Sequence, residues 1–104
     1  MRKAKKGIKR TSRFYVYIVE CRDNTYYTGY TNDLAKRIER HNKGLASKYT
    51  RARLPVKMVW KKNCKDQSAA MRTEKRIKGL TRQDKQSLIH GSRLDNIMRK
   101  YKKI

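Results

Sequence analysis

Two short segments rich in aromatic and β-branched residues, near the start of the chain, most constrain its fold. Residues 14–19 and 26–30 have the composition of β-strands, and residues 22–24 between them are turn-forming. Two strands so close in sequence predict an antiparallel hairpin. Alternation along the first strand places its side chains on two opposite faces. The two sets are Phe14, Val16 and Ile18 on one face, and Tyr15, Tyr17 and Val19 on the other.

The next residues predict a helix followed by a basic loop. Residues 31–33 supply N-cap side chains for a helix over residues 34–42, and Gly44 is a stop signal just beyond its end. Residues 43–55 are expected to form a loop rich in lysine and arginine. The apolar stripe of the helix, which should face the sheet, consists of Leu34, Ile38 and, past the turn, Leu45.

The second half of the chain predicts one more strand and further helices. Apolar residues at alternate positions of residues 56–61 indicate a half-buried strand, with Val56, Met58 and Trp60 on one face. Asp66 is the expected N-cap of a helix over residues 67–79. Its inward side chains, at helical spacing, are Ala69, Ala70, Thr73, Ile77 and Leu80.

The C-terminal part predicts a third helix and a short amphipathic segment. Residues 81–84 are a variant of the capping box and open a helix near residues 85–90. The segment that follows carries Leu94, Ile97, Met98 and Tyr101 at helical spacing, and it either docks on the domain or waits for a partner. The elements together predict an α+β fold, a three-stranded antiparallel sheet flanked by helices.

The charge of the chain indicates a polyanionic partner. It has 30 lysines and arginines against 8 acidic residues, a formal net charge of +22. Nucleic acid would relieve the self-repulsion of such a chain, because neutralised phosphates release their counterions. A membrane is not the expected partner, since the apolar runs are too short to span one and no helix has a bulky apolar face to insert. A ribosome-like or merely very soluble basic protein is the alternative interpretation.

The predicted organisation has three parts. Residues 1–13 form a basic disordered tail, residues 14–90 one domain, and residues 91–104 a basic amphipathic segment. Cys21 and Cys64 belong to no CxxC pair, so two free thiols are expected and no zinc site. The N-terminus lacks the apolar stretch of a secretory signal, which makes the cytoplasm the expected compartment.

Two tyrosines on the predicted hairpin are candidate site residues. Tyr17 and Tyr27 lie on adjacent strands and could stand on the same face. Gly29, two residues further on, would let another backbone or a phosphate come close. A cross-strand aromatic pair is also an ordinary feature of sheets, so this pattern alone leaves both interpretations open.

Three further polar residues lie on the predicted helices. Arg37 and His41 are four residues apart and share a helix face, where a guanidinium could grip a phosphate. Glu74 lies beside the apolar stripe of the next helix, and a single carboxylate suits Mg²⁺. Each also has a simpler interpretation: a surface arginine, a histidine at a helix end, and an ion pair from Glu74 to Lys78.

Taken together, these residues resemble the GIY-YIG nucleases and, among them, the small stand-alone bacterial members. Residues 15–17 and 27–29, Tyr-Val-Tyr and Tyr-Thr-Gly, resemble the two signature motifs. Residues 30–44 look like the helix that carries the family's arginine and histidine, and residues 69–74 like the helix with its metal-binding glutamate. Tyr15 and Thr28 depart from the motifs in a way that resembles the stand-alone members, and the family's C-terminal asparagine has no clear match.

The resemblance implies a metal-dependent endonuclease that hydrolyses nucleic-acid phosphodiester bonds, in structure-directed DNA processing or repair. Glu74 would hold Mg²⁺ (or Mn²⁺), and Arg37 would stabilise the developing charge. Tyr17 or Tyr27 would activate water, with a phenol pKa lowered by the positive surroundings. His41 is a second candidate base, since the ordinary pKa of histidine is near the working range.

The resemblance also implies a substrate-binding surface around these five residues. Tyr15 and Tyr30 could stack on bases or sugars, and Gly29 leaves room for the substrate. The expected loop would follow the nucleic-acid backbone through Lys48, Arg51 and Arg53. DNA is preferred over RNA as the partner, and a second protein could supply targeting. The alternative is a non-catalytic nucleic-acid-binding protein on the same fold.

Overall fold

A computed structural model describes residues 13–102, so the predicted tail lies outside the described residues except for the exposed Arg13. Within this range three strands form one antiparallel sheet in the order β2-β1-β3. The strands are β1 (Phe14–Glu20), β2 (Tyr26–Thr31) and β3 (Lys57–Cys64). The helices are α1 (Leu34–Asn42), α2 (Lys48–Arg51), α3 (Gln67–Lys78), α4 (Arg82–Ile89) and α5 (Leu94–Lys102). The predicted α+β class and three-stranded sheet are confirmed.

Short polar side chains begin the helices. Asp33, Asp66 and Thr81 each accept a hydrogen bond from a backbone N–H in the first turn of α1, α3 and α4, as the sequence predicted. Helix α4 starts three residues earlier than expected, at Arg82. Gly44 follows the end of α1 with φ +78, a left-handed conformation that favours glycine. No helix within residues 13–102 is long and apolar enough to cross a membrane.

Strand β1 is the middle of the sheet and is buried on both faces. The predicted alternation is confirmed, because Val16 and Ile18 lie in one core and Tyr17 and Val19 in another. The large core, on the face covered by α3, α4 and α5, comprises the buried residues Val16, Ile18, Cys64, Ala70, Ile77, Leu80, Leu88 and Ile97. The small core, on the face covered by α1, comprises Tyr17, Val19, Cys21 and Val56.

The C-terminal amphipathic segment docks on the domain. Ile97 is buried in the large core, and Leu94, Met98 and Tyr101 pack against it. The Tyr101 hydroxyl also donates a hydrogen bond of 2.7 Å to Asp84 on α4. Of the two alternatives for this segment, the structure therefore supports intramolecular packing.

The expected loop over residues 43–55 contains the short helix α2. Ser47 caps it, accepting hydrogen bonds from the backbone of Tyr49 and Thr50. Leu45, placed by the sequence in the inward stripe of α1, is 60% exposed. That prediction was wrong because the left-handed turn at Gly44 takes the chain off the helical path before Leu45.

The third strand runs to Cys64 and is irregular. Its register against β1 shifts between Ile18 and Val19, so that Ile18 pairs with Trp60 and Val19 with Met58. Residues paired across an antiparallel sheet share a face, so Trp60 and Met58 lie on opposite faces. The single alternating face predicted for them was wrong, because a bulge at Val59 adds one residue to the pattern.

Candidate active site

A cleft of about 540 Å³ lies along β2, which is an edge strand of the sheet. Helix α1 supplies Arg37 to its lining, and helix α3 supplies Gln67 and Glu74. The remaining lining residues, from the strands and the turn after β2, are Phe14, Tyr17, Tyr27, Gly29, Tyr30, Thr31 and Asn32. Four of the five predicted catalytic residues thus meet in one cleft, and the fifth, His41, is fully buried behind Tyr17.

A chain of buried hydrogen bonds runs inward from the cleft. The Tyr17 hydroxyl lies 2.8 Å from Nε2 of His41, and Nδ1 of the same ring lies 2.9 Å from the Thr50 hydroxyl. Thr50 donates its own hydrogen to the Ser47 carbonyl oxygen, at 3.4 Å. We therefore assign the imidazole hydrogen to Nδ1, which leaves Nε2 as the acceptor for the Tyr17 hydroxyl.

Burial sets the protonation of this pair. Burial raises the pKa of Tyr17 to about 12, against the opposing effect of the Arg37 charge. Burial, assisted by Arg37, lowers the pKa of His41 to about 4. Tyr17 and His41 are therefore both neutral near pH 7. The expected phenolate and the expected histidine pKa near the working range were wrong, because desolvation outweighs the positive surroundings.

Gly29 is required by the packing of Tyr17. A Cβ atom added to Gly29 would lie 2.6 Å from the Tyr17 hydroxyl oxygen, closer than real contacts allow. In the structure the close neighbour of Gly29 is the phenol of Tyr17. The glycine lets this side chain reach both the cleft and His41.

Tyr27 lies in a stack of aromatic and basic side chains. Its ring is 5.4 Å from that of His41, edge on, and 6.2 Å from that of Tyr49, nearly parallel. The Arg53 guanidinium lies 3.9 Å from the centre of the Tyr49 ring and donates hydrogen bonds to Asp23 and to the Tyr49 carbonyl oxygen. Arg53, expected to contact substrate, is thus already held by protein groups and supports Tyr49 instead.

Glu74 has the properties of a single metal ligand. It is the one carboxylate among the described residues that line the cleft, and its side chain is 19% exposed. Within residues 13–102 no group of three or more histidine, cysteine or acidic side chains could hold a metal ion. The donor set therefore fits a hard cation that takes most of its shell from water and substrate oxygens. The alternative ion pair is also formed, since Glu74 lies 3.3 Å from Lys78.

Some of the predicted substrate-binding residues line the cleft, and others lie outside it. Tyr30 lines the cleft with Gly29, and its hydroxyl accepts a hydrogen bond from Gln67. The cleft lining does not include Tyr15, which is half-buried on the Tyr17 face, or Lys48 and Arg51 on exposed positions of α2.

Sequence reasoning missed five residues of the site, of which Phe14 and Thr31 line the cleft. Asn32 and Gln67 also line the cleft, and Thr50 orients His41. Gln67 precedes Glu74 by seven residues, two helical turns, so helical spacing could have identified it. Nothing in the local pattern of Thr50 points to His41.

Residues 13–87 match the family model of the GIY-YIG catalytic domain. The chain belongs to the GIY-YIG family, and the resemblance inferred from its motifs is confirmed. Within the family it is similar to UPF0213 proteins. One, VNG_2274C of Halobacterium salinarum, is 49% identical over 74 residues, which cover 71% of this chain and 96% of the relative.

Two further UPF0213 proteins support this placement. YazA of Bacillus subtilis is 41% identical over 83 residues, 80% of this chain and 84% of the relative. The solution NMR structure of BH0048 from Bacillus halodurans is 42% identical, covers 75% of this chain and 83% of its own, and has a TM-score of 0.50. Both the sequence and the fold therefore place the chain beside these small proteins.

Proposed function

We propose that the protein is a metal-dependent endonuclease that hydrolyses nucleic-acid phosphodiester bonds in the cleft along β2. The observation that carries this proposal is the hydrogen bond between Tyr17, which lines the cleft, and the buried neutral His41. Arg37 and Glu74 line the same cleft. A phenol that is hydrogen-bonded to an imidazole can accept a proton from a group in the cleft.

Tyr17 and His41 would act as a proton relay. The attacking water gives its proton to the Tyr17 oxygen while the Tyr17 hydroxyl proton passes to Nε2 of His41. The water oxygen bonds to phosphorus, and the bond from phosphorus to the leaving oxygen breaks. Because neither side chain is ionised near pH 7, the transfer accompanies the attack of water instead of preceding it. The charge of the bound phosphate would stabilise the imidazolium that forms.

Arg37 and Glu74 would act on the phosphate itself. The Arg37 guanidinium can donate two hydrogen bonds to phosphoryl oxygens as negative charge develops on them. Glu74 would hold Mg²⁺ or Mn²⁺ after releasing Lys78. When bound, such an ion supplies Lewis-acid stabilisation of charge on the phosphate and the leaving oxygen.

Of the two tyrosines, we assign the base to Tyr17. Its hydroxyl has a proton acceptor at 2.8 Å, in His41. The Tyr27 ring is held between His41 and Tyr49, so we assign it to shaping the cleft and contacting the substrate. His41 does not line the cleft and would therefore act through Tyr17.

The proposed substrate is DNA in preference to RNA, in structure-directed processing or repair, with a partner protein that supplies targeting. The net charge of +22 supports a nucleic-acid substrate of either kind. A second candidate, a non-catalytic nucleic-acid-binding protein, is favoured by one observation. Lys78 already neutralises the carboxylate that would hold the metal.

Metal dependence separates the two candidates. The intact protein would be incubated with a panel of labelled DNAs and RNAs, in Mg²⁺, in Mn²⁺ and in EDTA. We expect cutting that requires the metal and is lost in Glu74→Gln. Glu39→Gln is the matched control, since Glu39 forms the same kind of helical ion pair, 3.1 Å from Lys43, on an exposed part of α1. Tight binding without cutting in any metal would establish the second candidate.

A further inference from the structure

A second groove continues the cleft along the edge of β2. It has a volume of about 270 Å³ and is lined by Tyr26, Tyr27, Thr28, Tyr49, Lys78 and Lys85. Tyr27 lines both the groove and the cleft. Helix α3 likewise supplies Glu74 to the cleft and Lys78, four residues later, to the groove. The two hollows are therefore successive parts of one path beside the same strand.

The groove is lined by two lysines, Lys78 and Lys85. None of the described residues that line it is acidic. Lys85 is half-buried, and burial, followed by the charge of the more exposed Lys78, lowers the pKa of Lys85, so the two ammonium groups lie near each other. Just outside, the Arg82 guanidinium lies 4.5 Å from the centre of the Tyr26 ring and extends the basic surface.

The backbone positions that line the two hollows are separated by roughly one step along a nucleic-acid strand. Lys78 lies about 6 Å beyond Glu74 along the α3 axis, at 1.5 Å per residue. Tyr27 and Gly29 are separated by roughly 7 Å along β2. Both lengths are comparable to the distance between adjacent phosphates. A strand with one phosphate at Arg37 and Glu74 would thus bring its neighbouring phosphate to Lys78 and Lys85.

We propose that this groove is a binding site for the phosphate next to the scissile one, gripped by Lys78 and Lys85. The proposal rests on the proposed function, because the scissile phosphate fixes where the strand begins its path. The metal site at Glu74 and the phosphate site at Lys78 are also coupled to each other. When Glu74 turns to the metal, Lys78 loses its ion-pair partner and becomes available to the neighbouring phosphate. In the absence of substrate, the ion pair therefore occupies both the carboxylate that would bind the metal and the lysine that would bind the neighbouring phosphate.

The salt dependence of binding tests this site without requiring cutting. Binding of labelled DNA and RNA strands would be measured in EDTA over a range of salt concentrations, for the intact protein, Lys85→Gln and Lys75→Gln. Lys75 is an exposed lysine of α3 that lines neither hollow, and it is the matched control. Loss of one phosphate contact should lower the slope of log K against log salt by about 0.7–0.9. At 0.1 M salt this corresponds to roughly fivefold to tenfold weaker binding.

We expect that loss in Lys85→Gln and little change of slope in Lys75→Gln. Lys85→Arg, which keeps the charge, should keep the slope, and thermal unfolding would check that each variant is folded. Equal slopes for Lys85→Gln and Lys75→Gln would overturn the site, even if the protein cuts. A lowered slope with no cutting under any condition would support a phosphate contact in the groove and overturn the nuclease.

Once a cleavage position is mapped, a neutral phosphate analogue tests which phosphate Lys85 contacts. Strands would carry one methylphosphonate on either side of the scissile bond. On one side, neutralising the phosphate should weaken binding about as much as Lys85→Gln, and combining both changes should add little. On the other side the two effects should add. Full additivity on both sides would show that Lys85 does not contact a neighbouring phosphate.

Discussion

The centre of the middle strand β1 is fully buried on both faces of the sheet, but the two faces are built from different chemistry. On the large-core side, β1 contributes Val16 and Ile18 to an almost entirely apolar interior. On the opposite side it contributes Tyr17, which contacts His41 and, through it, Thr50. All three of these polar residues are fully buried. Such groups are tolerated in an interior when they are hydrogen-bonded, and here they bond chiefly to one another.

This contrast separates stability from function within one small domain. A well-packed apolar group of similar volume would often stabilise the interior as well as a buried polar network does. The polar face supplies Tyr17 to the cleft beside Arg37 and Glu74, whereas the large core borders the cleft through Phe14 and Tyr30. We infer that the large core supplies most of the stability and the polar face supplies the chemistry. Substitutions on the two faces should therefore have separable effects.

The largest effect is expected for Tyr17→Phe, which removes the hydroxyl at the head of the relay. Loss of a general base typically slows a reaction by about 10²–10⁴-fold. Leaving Nε2 of His41 without its partner should also lower the free energy of unfolding by about 1–3 kcal/mol. Single-turnover cleavage, measured well below the melting temperature, would give the rate.

Phenylalanine variants of two other tyrosines test whether the loss of rate is specific to Tyr17. Tyr15→Phe should cut at nearly the normal rate, since Tyr15 does not line the cleft. Normal cutting by Tyr17→Phe together with a large loss in Tyr27→Phe would transfer the role of base to Tyr27.

On the apolar face, Ile77→Ala should have the opposite effect, with a large loss of stability and little loss of cleavage rate. Ile77 is fully buried in the large core, and truncations of this kind lower the free energy of unfolding by about 2–5 kcal/mol. Urea denaturation would measure the loss. The cleavage rate per folded molecule should stay within a few-fold of normal at low temperature. A tenfold fall in that rate would mean that the two faces are not separable.

The apolar face was largely predictable from sequence because it follows regular periods. Alternation identified Val16 and Ile18, and helical spacing identified Ile77 and Leu80. The failures lie where the backbone departs from a regular period. Leu45 follows a left-handed turn, and Met58 precedes a bulge that moves it to the other face of the sheet.

The polar face was predictable as a set of residues but not as a mechanism. The order and spacing of the motifs brought Tyr17, Arg37, His41 and Glu74 together, although each alone had an ordinary interpretation. The partner of His41 could not be predicted, because the bond to Thr50 depends on how α2 lies against α1. The sign of the Tyr17 pKa shift was also missed, since burial is a property of the packed structure.

Acid should destabilise the protein through the polar face. Burial lowers the pKa of His41 to about 4 from an ordinary value of 6.5, so the unfolded chain binds a proton below pH 6.5 that the folded protein binds only near pH 4. The stability from this group is therefore complete above pH 6.5 and lost as the pH falls to 4. The full loss is about 3 kcal/mol.

Urea unfolding at several pH values would measure this dependence. Between pH 7 and pH 4, the free energy of unfolding of His41→Gln should fall by about 3 kcal/mol less than that of the intact protein. The carboxylates titrate in both proteins, so their contribution cancels in the comparison. His90→Gln is the control, because His90 is exposed and lies outside the relay. If the free energy of unfolding of His41→Gln fell with pH as steeply as that of the intact protein, the buried imidazole would not be the group that titrates.

A smaller effect is expected at Thr50, the far end of the same chain of hydrogen bonds. Thr50→Val keeps the shape of the side chain but removes the acceptor for Nδ1 of His41, which should lower the free energy of unfolding by about 1–3 kcal/mol. If Thr50 positions His41, cutting should also slow, by roughly tenfold, because the imidazole is no longer held with Nε2 free to accept. Thr50→Ser should restore both properties.

A spectroscopic measurement distinguishes this positioning role from simple packing. Nitrogen NMR of the His41 ring should show the hydrogen on Nδ1 in the intact protein and in Thr50→Ser, and a mixture of the two tautomers in Thr50→Val. Loss of stability with an unchanged tautomer and unchanged cutting would reduce Thr50 to a buried structural group. The polar face would then begin at His41, and the contrast between the two faces would rest on the Tyr17–His41 pair alone.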